Sequence, residues 1–165
     1  EPVRLKKSGI WGPALVGLCY EGLPWFTGAA VLSDGAPSWP IVTLALLYAL
    51  GAHGIMTLND FKALEGDRQT GVNSLPVTLG PARAARVACW VMALPQLAVV
   101  ALLYAWGSPW HALAVTALVA AQLWAMRVLL SDPKGRAPWY NATGVTLYVS
   151  GMMVSAFALR SMGGF

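Results

Sequence analysis

The chain has 165 residues, of which 57% are hydrophobic and only 11% are charged. Soluble domains carry about 25% charged residues, so this composition excludes a soluble globular protein and indicates a membrane protein. The net charge of +4 is not accompanied by any nucleic-acid-binding motif, which excludes a nucleic-acid-binding role.

Apolar stretches predict five transmembrane helices, because each crossing of a bilayer needs about 20 mostly apolar residues. The predicted spans are residues 10–32, 39–58, 84–106, 110–130 and 138–159. The predicted fold class is therefore all-α and polytopic, with residues 1–165 forming one membrane domain. A charged loop is predicted at 59–82, with a short interfacial helix within its second half.

The first predicted span contains Glu21, which lies near the middle of the membrane and is followed by Pro24. A carboxyl group at this depth should face the bundle interior or a cavity. It either contacts a bound molecule or a partner helix, or it is protonated and hydrogen-bonded to a neighbour. The sequence leaves both interpretations open.

The segment 59–68 is the most densely charged part of the chain and holds three of its seven carboxylates and two cations. On a helix, Asp60 and Asp67 lie two turns apart on one face, and Glu65 lies to the side. Mg²⁺ takes hard oxygen ligands, usually one or two carboxylates completed by phosphate oxygens and water. The pattern therefore suits a divalent cation with a phosphate group, or else a solvated loop whose charges pair with one another.

Charge also predicts the orientation. Ten of the eleven Lys and Arg residues fall on the side of the acidic segment in a five-span topology, and only Arg160 falls on the other. By the positive-inside rule the acidic segment is cytoplasmic. The basic cluster before the first span, which includes Lys7, either orients the chain and contacts lipid headgroups or meets a substrate phosphate directly.

The run NDFKALEGDRQTGVNSLPVTLG (59–80) resembles the second acidic motif of the UbiA-type intramembrane prenyltransferases. Three further runs resemble the bacteriochlorophyll branch of the chlorophyll synthases within that family: GLCYEGLPWFTGAAV (17–31), GAHGIMTLNDFK (51–62) and PWYNATGVTLYVSGMMV (138–154). The resemblance extends over almost the whole chain. It implies the C-terminal half of a nine-helix bundle, because nothing here resembles the first acidic motif of the family.

The resemblance implies an Mg²⁺-dependent transfer of a geranylgeranyl or phytyl group from its diphosphate to the propionate of bacteriochlorophyllide. It implies a multi-pass protein of the bacterial inner, photosynthetic intracytoplasmic membrane. Asp60 and Asp67 would be the metal ligands, supported by Asn59 and Glu65. The residues implied to contact the diphosphate or the pigment are Lys62, Arg68, Glu21 and His53.

The implied role of His53 is that of axial ligand to the magnesium of a bound bacteriochlorophyll or bacteriochlorophyllide, since neutral imidazole is a capable ligand. The alternative is a hydrogen-bonded interior histidine. The flanking Gly51 and Gly54 would permit the close approach of a ring or of another helix.

Two departures from the family pattern affect these expectations. Many members carry a carboxylate at the position of Ala63, so Asp60 is taken as its substitute. The absence of the first motif predicts that the isolated 165-residue chain has no synthase activity. The alternative function is a truncated, non-catalytic subunit that binds pigment or protein subunits in a photosynthetic membrane complex.

Overall fold

The structure, a computed structural model, describes residues 4–33 and 35–163, except for the side chain of Lys6. Regular secondary structure in these ranges is helical, and one isolated β-bridge is present. The α-helices are α1 (Trp11–Gly17), α2 (Leu23–Leu32), α3 (Trp39–Thr70), α4 (Leu75–Leu79), α5 (Pro81–Ala105), α6 (Pro109–Ser131) and α7 (Pro133–Ser161). A π-helical turn, Leu18–Gly22, joins α1 to α2 just before Pro24.

Five helical segments of the described chain are long and apolar enough to cross a membrane. They are Trp11–Leu32, which combines α1, the π-helical turn and α2, and the four long helices α3, α5, α6 and α7. Helices suit this environment because they satisfy all their backbone hydrogen bonds internally. The predicted all-α polytopic fold is confirmed.

Helix α3 does not end where the apolar sequence ends. The loop predicted from residue 59 is helical as far as Thr70, so the acidic segment extends a membrane-spanning helix. The physical reason is that residues 59–70 contain no proline and are rich in good helix formers such as Lys, Leu, Glu and Arg. Gly71 then ends the helix with a left-handed φ of 69°, the conformation for which glycine is favoured.

Helix α3 is also the centre of the bundle. Its most apolar stretch is 67% buried, whereas that of Trp11–Leu32 is only 17% buried. Helix α3 packs most extensively against α5, while α6 packs against α7. The acidic segment is thus attached to the most constrained helix among those described.

Buried polar side chains tie the central helices together. The Tyr48 hydroxyl lies 2.7 Å from Ser155 Oγ, and Tyr148 donates a 2.7 Å hydrogen bond to the Tyr48 carbonyl oxygen. These contacts join α3 to α7. A second chain of hydrogen bonds, from Gln96 to Gln122 (2.8 Å) and from Gln122 to Tyr140 (3.1 Å), joins α5, α6 and α7.

Gly51 and Gly54 allow neighbouring helices to approach α3 closely. A Cβ atom at Gly51 would collide with the Tyr148 ring. A Cβ atom at Gly54 would collide with the Met92 side chain and lie 2.6 Å from the Ala88 carbonyl oxygen on α5. The two glycines flanking His53 therefore serve helix packing, the second of the two uses predicted for them.

We expect Gly54→Ala to destabilise the protein by about 1–3 kcal/mol, because an added methyl group in a close-packed interior forces the backbone apart. Gly28→Ala is the matched control, since its Cβ meets nothing within 4 Å. The control should be neutral or slightly stabilising, because Ala is the better helix former. Thermal unfolding of both variants in detergent measures the difference, and equal melting temperatures would contradict the packing role.

Candidate active site

A cavity of about 640 Å³ opens at the end of the bundle that carries the acidic segment. We call this end the motif end. The cavity lies between the N-terminal segment, α1, the last turns of α3 and the chain that follows α3. Its lining residues are Lys7, Ser8, Gly9, Gly12, Pro13, Val16, Met56, Asn59, Asp60, Asp67, Thr70, Val72 and Ser74.

Asp60 and Asp67 both line this cavity, together with Asn59. They share a face because α3 remains helical from Trp39 to Thr70 and seven residues make about two turns. Their Cα atoms are about 10 Å apart along the helix axis. This spacing does not suit joint ligation of one divalent cation, whose oxygen ligands lie about 2 Å from it, so each carboxylate is placed to hold its own cation.

The lining changes from polar to apolar with depth. Helix α3 runs towards the motif end, so Met56 lies about 6 Å deeper in the bundle than Asp60. Helix α1 runs the opposite way, so Val16 lies deeper than Gly12. The cavity is therefore charged at its mouth and apolar towards the membrane interior.

A backbone clamp joins the N-terminal segment to the chain that follows α3. The Gly9 N–H donates to the Asn73 carbonyl oxygen and the Asn73 N–H donates to the Lys7 carbonyl oxygen, each over 2.9 Å. These bonds make a parallel bridge between Ser8 and Asn73. They bring Lys7 into the cavity wall, 53 residues before Asp60 in the sequence. Sequence reasoning left open whether the basic cluster meets a phosphate, and no sequence pattern reveals the clamp.

Asn59 is also tied to the last helix. Asn141 on α7 donates from Nδ2 to Asn59 Oδ1 over 3.0 Å. This bond engages the oxygen of Asn59 and leaves its amide nitrogen as a donor for other contacts. Sequence reasoning did not connect Asn141 with the acidic segment, because 82 residues separate them.

The other charged residues of the acidic segment lie outside the cavity lining. Glu65 forms ion pairs with Arg68 (3.5 Å) and with Lys134 of α7 (3.7 Å), and all three side chains are more than half exposed. Exposed pairs of this kind contribute about 0–1 kcal/mol each. Lys62 is exposed on another face of α3. The structure therefore brings neither of the two cations predicted to hold a diphosphate into the cavity wall.

His53 is buried, and its Nε2 lies 3.1 Å from the Ile10 carbonyl oxygen. A carbonyl only accepts, so Nε2 carries the proton and donates it. The other nitrogen, Nδ1, lies 3.5 Å from Thr57 Oγ1 on the same helix. In this arrangement His53 is a hydrogen-bonded interior residue that fastens the N-terminal segment, which is the alternative to the predicted pigment ligand.

Glu21 lies in the π-helical turn and is partly buried, outside the lining of the motif-end cavity. Its predicted roles are contact with a bound molecule or a partner helix, or else a protonated carboxyl group hydrogen-bonded to a neighbour, and all of them concern a different part of the bundle. They remain predictions.

The metal-binding side chains that the cavity offers are carboxylates, the hard oxygen ligands that magnesium prefers. No group of three or more His, Cys, Asp or Glu side chains that could hold an ion occurs among the described residues. The cavity instead offers the hard oxygens of Asp60 and Asp67. Magnesium commonly takes one or two carboxylates and completes its shell with phosphate oxygens and water.

The sequence of this chain is similar to the sequences of several known proteins. The chain is 73% identical over 162 residues to the bacteriochlorophyll synthase 33 kDa chain of Cereibacter sphaeroides, covering 98% of this chain and 54% of that one. It is 62% identical to the chain of the same name from Rhodobacter capsulatus, over 97% of this chain and 54% of that one. It is 37% identical to the chloroplastic chlorophyll synthase of Arabidopsis thaliana, over 95% of this chain and 40% of that one.

This chain thus spans about half the length of the curated relatives that it matches. No solved structure matches it. Residues 2–156 match the UbiA prenyltransferase family. With a match over nearly its whole length, the chain belongs to the UbiA prenyltransferase family.

Proposed function

We propose that this chain carries the diphosphate site of a bacteriochlorophyll synthase. The reaction transfers a geranylgeranyl or phytyl group from its diphosphate to the propionate of bacteriochlorophyllide. The observation that carries the proposal is that Asp60, Asp67 and Lys7 line one cavity whose deeper wall is apolar. The names of the relatives support the choice of pigment.

The shape and polarity of the cavity favour an amphiphilic donor. A polyprenyl diphosphate has a strongly anionic head and a long apolar tail. The head fits the mouth of the cavity, where the carboxylates and Lys7 lie, and the tail fits the deeper wall formed by residues such as Val16 and Met56. A soluble sugar or nucleotide diphosphate would leave that apolar wall unused.

Asp60 and Asp67 would each hold a magnesium ion, which when bound neutralises charge on the diphosphate oxygens. Lys7 adds a positive charge at the same mouth and stabilises the departing pyrophosphate. Asn59 would donate from its amide nitrogen, because Asn141 already engages its oxygen. The protein thereby binds the leaving group with residues from both α3 and the N-terminal segment.

The transfer step does not require a general acid or a general base from the protein. The bond between the allylic carbon and the diphosphate oxygen breaks, and a propionate oxygen of the acceptor forms the new ester bond with that carbon. A carboxylic acid with a pKa of about 4 is already ionised near neutral pH, so no general base is needed. The apolar deeper wall excludes water that would otherwise capture the allylic cation.

Replacing either cavity carboxylate should abolish most of the activity. We expect Asp60→Asn and Asp67→Asn each to lower the rate of pigment esterification by about 100-fold or more, since even groups that only orient metal ligands are worth 10- to 100-fold. The assay uses the complete protein that contains this chain, with geranylgeranyl diphosphate and bacteriochlorophyllide, and detects the esterified pigment by chromatography. Chelation of divalent ions should stop the reaction and added Mg²⁺ should restore it.

Glu65→Gln is the matched control within the same helical segment. It lies on the exposed side of α3 in ion pairs with Arg68 and Lys134, so its loss should change the rate by no more than a few-fold. An active Asp67→Asn variant would refute the diphosphate site. A complete protein that binds bacteriochlorophyllide but never esterifies it would support the non-catalytic pigment-binding function instead.

Substitutions of Lys7 and Lys62 distinguish a charge that lines the cavity from a charge on the exposed face of α3. We expect Lys7→Gln to raise KM for the prenyl diphosphate about tenfold with a smaller change in kcat, because a charge-assisted hydrogen bond to the diphosphate is lost. Lys62→Gln removes the same charge from a position outside the lining and should leave KM nearly unchanged. Equal effects of the two substitutions would show that Lys7 acts only through the overall charge.

We further propose that the motif end faces the cytoplasm, as the distribution of basic residues supports. We expect a cysteine introduced as Glu65→Cys, in a variant lacking Cys19 and Cys89, to react with a membrane-impermeant maleimide in inverted vesicles only. Ala105→Cys, at the far end of α5, is the control and should react in intact spheroplasts only. Labelling of the Glu65→Cys variant in intact spheroplasts would reverse the orientation.

A further inference from the structure

Ser74 has a buried hydroxyl group without a partner. The residue is only 3% exposed, and its Oγ atom makes no hydrogen bond in the described part of the chain. Buried polar groups are nearly always paired, so an unpaired hydroxyl requires an explanation. Ser74 also lines the motif-end cavity, which suggests that its partner is a bound molecule.

The side chain of Ser74 is not needed for the local fold. Ser74 directly precedes α4, but its side chain makes no capping hydrogen bond. The first turn is instead organised by the backbone, since the Ser74 carbonyl oxygen accepts hydrogen bonds of 3.0 Å from both Val77 N and Thr78 N. An alanine at position 74 would keep these backbone bonds.

The backbone clamp fixes the position of Ser74 against the N-terminal segment. A Cβ atom at Gly9 would lie 2.6 Å from Leu75 N and 2.9 Å from the Ser74 carbonyl carbon. The backbone of the N-terminal segment and the backbone of the segment that follows α3 are therefore in direct contact at this point. This contact holds Ser74 against the N-terminal segment, and Ser74 lines the same cavity as Lys7 and the two carboxylates of α3.

We propose that Ser74 is a substrate-binding residue whose hydroxyl group donates a hydrogen bond to a diphosphate oxygen in the cavity. The inference rests on the proposed function and adds a neutral donor beside Lys7. The hydroxyl donates neither to Asp60 nor to Asp67, so it does not serve to orient the carboxylates. The Ser74 side chain has three staggered positions about its Cα–Cβ bond, which give the hydroxyl group three directions in which it can donate.

Binding of pyrophosphate with Mg²⁺ tests this directly, because it does not require turnover. The complete protein is placed in nanodiscs of neutral lipid and titrated by calorimetry. We expect Ser74→Ala to weaken binding about tenfold, the effect of losing one hydrogen bond to a charged group. The melting temperature without ligand should not fall, because the lost hydroxyl had no partner in the protein.

Ser108→Ala is the matched control. Ser108 is also a buried serine that directly precedes a helix without a side-chain capping bond, but it lies before α6 at the opposite end of the bundle. Its substitution should leave pyrophosphate binding unchanged. Ser74→Thr, which keeps the hydroxyl group, should bind more tightly than Ser74→Ala.

The outcomes separate this inference from the proposed function. If the unsubstituted protein and Asp67→Asn bind pyrophosphate equally or not at all, the diphosphate site itself is wrong. If Asp67→Asn loses binding while Ser74→Ala keeps it, only the role of Ser74 is wrong. If Ser74→Ala changes the response to phosphatidylglycerol in the nanodisc but not to pyrophosphate, the hydroxyl binds a lipid headgroup, which also overturns the inference.

Discussion

The unbroken hydrogen bonding of α3 is the constraint on which the candidate site depends. The helix continues from Trp39 through Thr70. The membrane-spanning part and the acidic segment therefore belong to one helix, and the direction in which each side chain leaves the axis is fixed by its position in the sequence. Asp60 and Asp67 can then be brought to the same wall by their spacing alone. The burial of the rest of α3 among its neighbours fixes which direction that wall faces.

The features that the sequence could predict depend on residues close together in the chain, and those that it could not predict depend on contacts between distant residues. The spanning segments were predictable because length and hydropathy are local properties, and so was the shared face of Asp60 and Asp67. The end of α3 was not, because hydropathy falls at residue 59 while the backbone hydrogen bonds continue to Thr70. Charge put Lys7 on the side of the acidic segment, but neither its place in the cavity lining nor the contact of Asn141 with Asn59 could be predicted, since only the packing of distant segments brings them together.

The helical turns of residues 59–68 also place the charged side chains of this segment on different faces of α3. Composition alone makes residues 59–68 a mixture of carboxylates and cations, and on that basis Lys62 and Arg68 were natural partners for a diphosphate. In the folded chain Arg68 pairs with Glu65 on the exposed side, while the two aspartates line the cavity. Neither cation of the acidic segment lines the cavity with them, and among the described side chains Lys7, on another segment, brings a positive charge to the lining.

Helix α3 therefore shapes both walls of the cavity. It supplies the carboxylates of one wall directly, and through His53 it holds the Ile10 carbonyl oxygen at the start of the other. One residue earlier, the Gly9 N–H is held by Asn73, shortly after α3 ends. The N-terminal segment is thus fastened at two points to α3 and the chain that follows it. A ligand that bridges the walls would meet groups whose separation is already set by the packing of one helix, which reduces the ordering cost of binding.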